Sequence, residues 1–146
     1  MFKQILFFLI FSLFFVSCDK QKRTTKKIDG EWEISIYKIT DTEGLAEFAV
    51  CSGSYFFNSC SDKSASCDYT SNLIYDFPSS SGAAIETGTF EVLPDGEYMD
   101  VTSLNATNIA ISVYNCRILT LTKTDLQFEF TDSTFKIHSL FFKKKK

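Results

Sequence analysis

Apolar and polar residues alternate along most of this chain with a period of two, the pattern of strands that bury one face. In IDGEWEISIYKITD, Trp32, Ile34 and Ile36 alternate with Glu31, Glu33 and Ser35. Similar runs recur around Tyr55 to Cys60, from Tyr69 to Phe77, from Ile85 to Val92 and from Tyr98 to Thr102. They continue from Ile109 to Val113, from Arg117 to Thr122 after a break at Asn115, from Leu126 to Phe130 and from Phe135 to Phe142. Turn chemistry separates them. PSSSG at residues 78–82 ends the third run, and the Asp95-Gly96 step after Pro94 is a hairpin signal, because both residues tolerate the positive φ of a tight primed turn. No stretch of the body carries a 3.6-residue apolar stripe, so the spacing predicts about eight strands in an all-β sandwich or barrel. An antiparallel up-and-down β-barrel also removes exposed edges, which a chain with 16 Phe needs. Thr42 to Val50, TEGLAEFAV, fits a short helix, a strand start or a loop across a barrel mouth.

Ahead of this body, Ile5 to Val16 is an apolar run of 12 residues, preceded by Lys3 and Gln4. A membrane-spanning helix needs roughly 20 apolar residues, whereas a short positive leader, an apolar centre and a small residue before a cut site make a signal peptide. Here the small residue is Ser17, followed by Cys18 and an abrupt switch to charge. Phe15, Val16, Ser17 and Cys18 resemble the lipobox of bacterial lipoproteins. That resemblance implies cleavage before Cys18, whose sulfur then carries a diacylglycerol and ties the protein to a membrane. The expected layout is a lipoprotein signal peptide at 1–17, a lipidated basic tether at 18–28, a barrel domain at 29–142 and a basic tail at 143–146.

The cysteine count agrees with this division. Five cysteines are an odd number for an oxidising compartment; with Cys18 assigned to lipid, Cys51, Cys60, Cys67 and Cys116 remain for two disulfides. A zinc site is disfavoured, because no close CxxC pair exists and the single histidine, His138, lies in a strand-like run. Charge is uneven as well. From Asp29 to Phe142 there are 17 acidic and 5 basic residues, a net of −12, while both flanks are basic. An acidic body argues against nucleic acid, which needs a basic face. The basic ends read as solvated and flexible, or as lying against anionic lipid.

No G-x-S-x-G elbow, P-loop, HExxH or EF-hand loop appears, so no cofactor and no enzymatic activity is expected. His138 should sit on the opposite face from Ile137, as a surface or barrel-mouth residue rather than a general base. Asp95, Glu97 and Asp100 gather around the hairpin turn as a solvated acidic turn or a weak calcium site, and Asn105 to Thr107 is a formal glycosylation sequon. An eight-stranded barrel is just wide enough to be filled by side chains or to hold one small ligand. Trp32, Tyr75, Phe77, Phe90, Phe128 and Phe130 would line such a cavity or form plain core, with a filled interior favoured.

Gly30-x-Trp32 opening the first strand after a tether is similar to the start of lipocalin-like domains, and the later strand rhythm fits them. The whole looks like the small lipocalin-like lipoproteins common in Bacteroidota. The resemblance implies a tryptophan packed across the closed end of the barrel and a late arginine, here Arg117, covering it. On this layout Cys60 pairs with Cys67 across a hairpin and Cys51 with Cys116, the rival being Cys51–Cys60 with Cys67–Cys116. The expected role is a non-catalytic structural or interaction one with an envelope protein partner, the alternative being carriage of a small apolar ligand. The basic run KQKR after Asp19 favours an outer-membrane site facing the periplasm.

Overall fold

The period-two runs become eight antiparallel strands: β1 Gly30–Thr40, β2 Ala46–Phe57, β3 Cys67–Asp76, β4 Ser81–Val92, β5 Tyr98–Leu104, β6 Ala110–Leu121, β7 Asp125–Thr131 and β8 Ile137–Lys144. Each pairs with its neighbours in sequence and β8 closes on β1, so the sheet is an up-and-down barrel with no free edge. The computed structural model describes residues 20–60, 66–78, 81–105, 107 and 109–146. The leader and Cys18 lie outside the described residues.

Two boundaries are decided by the structure. Of the three readings of Thr42 to Val50, the strand start holds: a turn leads into the first half of β2. Asp41 organises that turn, its Oδ1 accepting from the backbone N–H groups of Glu43 (2.9 Å) and Leu45 (2.8 Å). Nor does the chain break at Asn115, because β6 runs through it. Asn115 stands opposite Asp100 on β5 and donates Nδ2–H to its Oδ1 at 2.7 Å, so the pair serves as a cross-strand contact.

The basic tether is likewise not a plain tether. Residues 20–28 form a helix, α1, that packs across the end of the barrel where β1 begins. Gln21 Nε2 donates to Val92 O, and Lys20 pairs with Glu97 at 3.0 Å, which fastens α1 to the β4–β5 turn. Gly96 turns there with φ +70°, and a Cβ on it would lie 2.9 Å from Thr24 Oγ1. Ile28, the last helical residue, is fully buried and belongs to the core, so the folded unit starts before residue 29.

The basic tail is also bound rather than loose. Lys143 and Lys144 belong to β8; Lys143 pairs with Asp125, and Lys145 pairs with Glu31 at 2.8 Å. Lys144 donates to the Asp29 carbonyl and holds its ammonium 4.5 Å from the Trp32 ring centroid. Burial pushes the Lys144 pKa down, against the pull of Asp29. The cation over the tryptophan is therefore Lys144, while Arg117 is exposed on β6.

Trp32 itself is fully buried at the helix-capped end, where its Nε1–H donates to Ile28 O. Phe57, Tyr69, Phe90, Met99, Leu126 and Phe142 fill this half of the barrel around it, each at most 2% exposed. Most inward positions are apolar, with Ser71 and Ser103 as buried polar exceptions. Among the described residues no helix is long and apolar enough to cross a membrane.

Candidate functional site

Dense packing stops about halfway along the barrel. Beyond a floor made by Tyr55, Phe128 and Leu140, the open half encloses a cavity of about 260 Å³. Its walls carry Tyr37 from β1, Tyr75 from β3, Glu86 from β4, Tyr114 from β6, Phe130 from β7 and His138 from β8. Strand alternation places most of them. On β3 every odd position from Cys67 to Leu73 is buried, and Tyr75 continues that face into the cavity.

Tyr37 needs an irregularity. Trp32 and Ile34 point inward, but a register shift in the β1–β8 pairing between Ile34 and Ile36 reverses the parity. Ile36 is thereby turned outward, 42% exposed, and Tyr37 faces the cavity instead. Its ring meets Phe77 at 5.0 Å and Tyr75 at 6.1 Å, both edge-on. Across the cavity Tyr114 packs against Phe130 at 4.6 Å.

A hydrogen-bonded chain runs through the mouth. Asp132, in the β7–β8 turn, accepts at Oδ1 from the backbone N–H groups of Thr134 (2.8 Å) and Lys136 (3.0 Å). Its Oδ2 lies 3.0 Å from His138 Nε2, and His138 Nδ1 lies 2.8 Å from Tyr37 Oη. A carboxylate only accepts, so Nε2 carries the proton, and in the neutral ring Nδ1 accepts from the Tyr37 hydroxyl. The His138 ring stacks on Phe130 at 4.8 Å with an interplanar angle of 2°. The hydrogen bond from His138, with those from the turn, holds the Asp132 carboxyl well below the usual carboxylate range. Burial, with Tyr75 and Cys51 nearby, pushes the Tyr37 phenol up, so it stays a neutral hydroxyl.

His138 thus sits at the barrel mouth, on the opposite face from the exposed Ile137, as the residue pattern implied. Of the six aromatic candidates, Tyr75, Phe128 and Phe130 line the cavity. Phe77 packs behind Tyr37 and Tyr75, whereas Trp32 and Phe90 belong to the filled half. The expectation of a filled interior therefore holds for one half only. Tyr37, Tyr55, Tyr114 and Glu86 escaped sequence reasoning; for Tyr55 and Glu86 the parity of their own strands was the available signal.

Among the cysteines, Cys60 and Cys67 form a disulfide with Cα atoms 5.1 Å apart, closing the β2–β3 connection. Cys51 and Cys116 are free thiols, so the expected bridge between them is absent. They stand on β2 and β6, four strands apart around the barrel with the interior between them, and a disulfide requires Cα atoms within about 7 Å. Burial pushes the Cys116 thiol up to about 12, which keeps it protonated and a poor nucleophile. At the other end, Asp95 Oδ1 caps its own turn by accepting from Glu97 N at 2.8 Å, while Glu97 and Asp100 have separate partners. Among the described residues no three such side chains gather as a metal site.

No family model matches the chain, and no curated protein matches it. Solved structures share the fold at low identity, designed barrels among them. A redesigned β-barrel superposes with a TM-score of 0.53 at 15% identity over 85% of this chain and 96% of its own. A second redesigned barrel, bound to DFHBI, gives 0.53 at 16% identity over 81% and 99%. A de novo designed fluorescence-activating β-barrel gives 0.51 at 11% over 83% and 96%.

Proposed function

We propose that this protein is a non-catalytic binding module that holds one small, largely aromatic molecule in the open half of its barrel. The observation that carries this reading is the cavity of about 260 Å³ among Tyr37, Tyr55, Tyr75, Tyr114, Phe128 and Phe130. Its volume lies just below the roughly 300–1,000 Å³ of pockets for drug-sized ligands, so the ligand is small. Apolar walls with a few placed polar groups suit an aromatic molecule bearing one polar substituent. The redesigned barrel bound to DFHBI shares the architecture, which supports a barrel of this size as a ligand carrier. Asp132 and His138 orient the Tyr37 hydroxyl, giving the site a fixed hydrogen-bonding group.

Equilibrium binding of 2-phenylethanol and indole tests this reading. Saturable one-to-one binding is expected, and Ala84→Phe, which places a ring in the cavity wall, should abolish it while the thermal transition is retained. Absence of saturable binding, or equal binding by the variant, would contradict the reading.

The address belongs to the same proposal. Val16-Ser17-Cys18 after an apolar leader supports a mature protein that begins at Cys18 and is lipid-anchored at the cell envelope, with the periplasmic face of the outer membrane as the preferred site. Mass spectrometry of the membrane-extracted protein should find a diacylglycerol-modified N-terminal cysteine. An unmodified or uncleaved N-terminus would contradict it.

A further inference from the structure

The charges that face the cavity decide which small molecules it prefers. Glu86 points inward from β4, between Ala84 and Gly88, and is one of the lining groups. Its neighbour Gly88 leaves room for Tyr69, since a Cβ at Gly88 would lie 2.7 Å from Tyr69 Cε1 and 2.0 Å from the Thr102 carbonyl oxygen. That space lets the Tyr69 hydroxyl reach Glu86 Oε2, though only at 3.4 Å. Among the described residues this one long hydrogen bond leaves most of the carboxylate's acceptor capacity unused. Among the described residues no lysine or arginine lines the cavity.

The Asp132–His138 pair does not change this balance. Asp132 and His138 bond each other at 3.0 Å, so protonated His138 is offset by Asp132 and the pair adds no net positive charge. The cavity that Glu86 faces is also lined by the aromatic rings of Tyr37, Tyr55, Tyr75, Tyr114, Phe128 and Phe130. Aromatic faces carry negative potential and attract cations, more strongly where water is displaced. The basic side chains of α1 and of residues 143–146 lie toward the capped end, so the net charge of −12 over residues 29–142 leaves the rest of the barrel negative and favours the approach of cations.

We propose, resting on the reading of the cavity as a ligand site, that its ligand is a small organic cation: an amine or quaternary ammonium joined to an apolar group. The ammonium sits against Glu86 and the tyrosine faces, and the apolar part meets Phe128 and Phe130. Anions are disfavoured, because no lysine or arginine lines the cavity among the described residues and Glu86 repels them.

Titration calorimetry with 2-phenylethylammonium and its uncharged isostere 2-phenylethanol, at neutral pH and low salt, tests the proposal. The cation should bind about tenfold tighter or more, and Glu86→Gln should bring the ratio of the two affinities close to 1. Tyr114→Leu, which removes a cage wall distant in sequence from Glu86, should also reduce the ratio. Equal or tighter binding of the alcohol overturns the cation assignment while leaving the cavity reading standing. A preference for the cation that survives Glu86→Gln overturns Glu86 as the group that holds the ammonium. If neither compound binds, the cation assignment and the cavity reading fall together.

Discussion

Asp132 gathers four hydrogen bonds onto one carboxylate: two from backbone N–H groups, one from the Thr134 hydroxyl and one from His138. All favour the ionised form, so the folded-state pKa lies below the ordinary value of 3.8. A depressed carboxyl pKa stabilises the fold fully above about pH 4, and that contribution is lost as pH falls through the folded value. Replacing Asp132 with Asn should cost about 1–2 kcal/mol at pH 7, because charge-assisted bonds are lost while one acceptor remains. Thermal melts between pH 6 and pH 2 check this, with the gap between wild type and Asp132→Asn narrowing on acidification. A constant gap would mean that the charge contributes nothing. Tyr37 depends on context in another way: its role comes from a shift in strand register that its own sequence does not announce. The alternation of Trp32, Ile34 and Ile36 reads as one inner face, yet only the first two are buried.

At the scale of elements, α1 depends on a single apolar anchor. Residues 20–28 carry five basic side chains and no apolar stripe, so local pattern gives no reason for a helix to pack there. Ile28 supplies one by filling the space over Trp32, and its carbonyl accepts the indole N–H. Ile28→Ala should destabilise the protein by about 2–5 kcal/mol. Trp32 is the only tryptophan, so its emission should shift to longer wavelength as water reaches the ring. Unchanged emission and stability would show that α1 is an ornament on the barrel rather than its plug. The strands were more legible, because half-buried strands advertise themselves by alternation and by Asp-Gly turns. Their ends were less so. Phe48 and Val50 are exposed at 59% and 81%, which blurs the start of β2, and Asn115 looks like a breaker until Asp100 is placed opposite it. The Cys60–Cys67 pairing follows from a short loop between two strands, and its closure contributes about 2–3 kcal/mol in the chain-entropy model. Cys51 and Cys116 show the limit of such counting: an even number of thiols does not bring two opposite strands together.

Across the whole molecule the barrel divides into two halves with different tasks. One is sealed by α1, Trp32 and Lys144 and packed with large side chains; the other keeps an aromatic cavity under an Asp132–His138–Tyr37 chain. Strand number alone allowed either a filled or a hollow interior. The choice rests on where tyrosines replace phenylalanines and leucines along the inner face, and on the shift that adds Tyr37 to them. The central claim, a ligand site confined to the open half, is tested most directly by NMR chemical-shift mapping of the isotope-labelled protein during titration with 2-phenylethanol. Saturating shifts should centre on Tyr37, Tyr75, Tyr114, Phe130 and His138, with the Trp32 indole N–H unmoved. Shifts spread over outward-facing residues, or none at millimolar ligand, would contradict it.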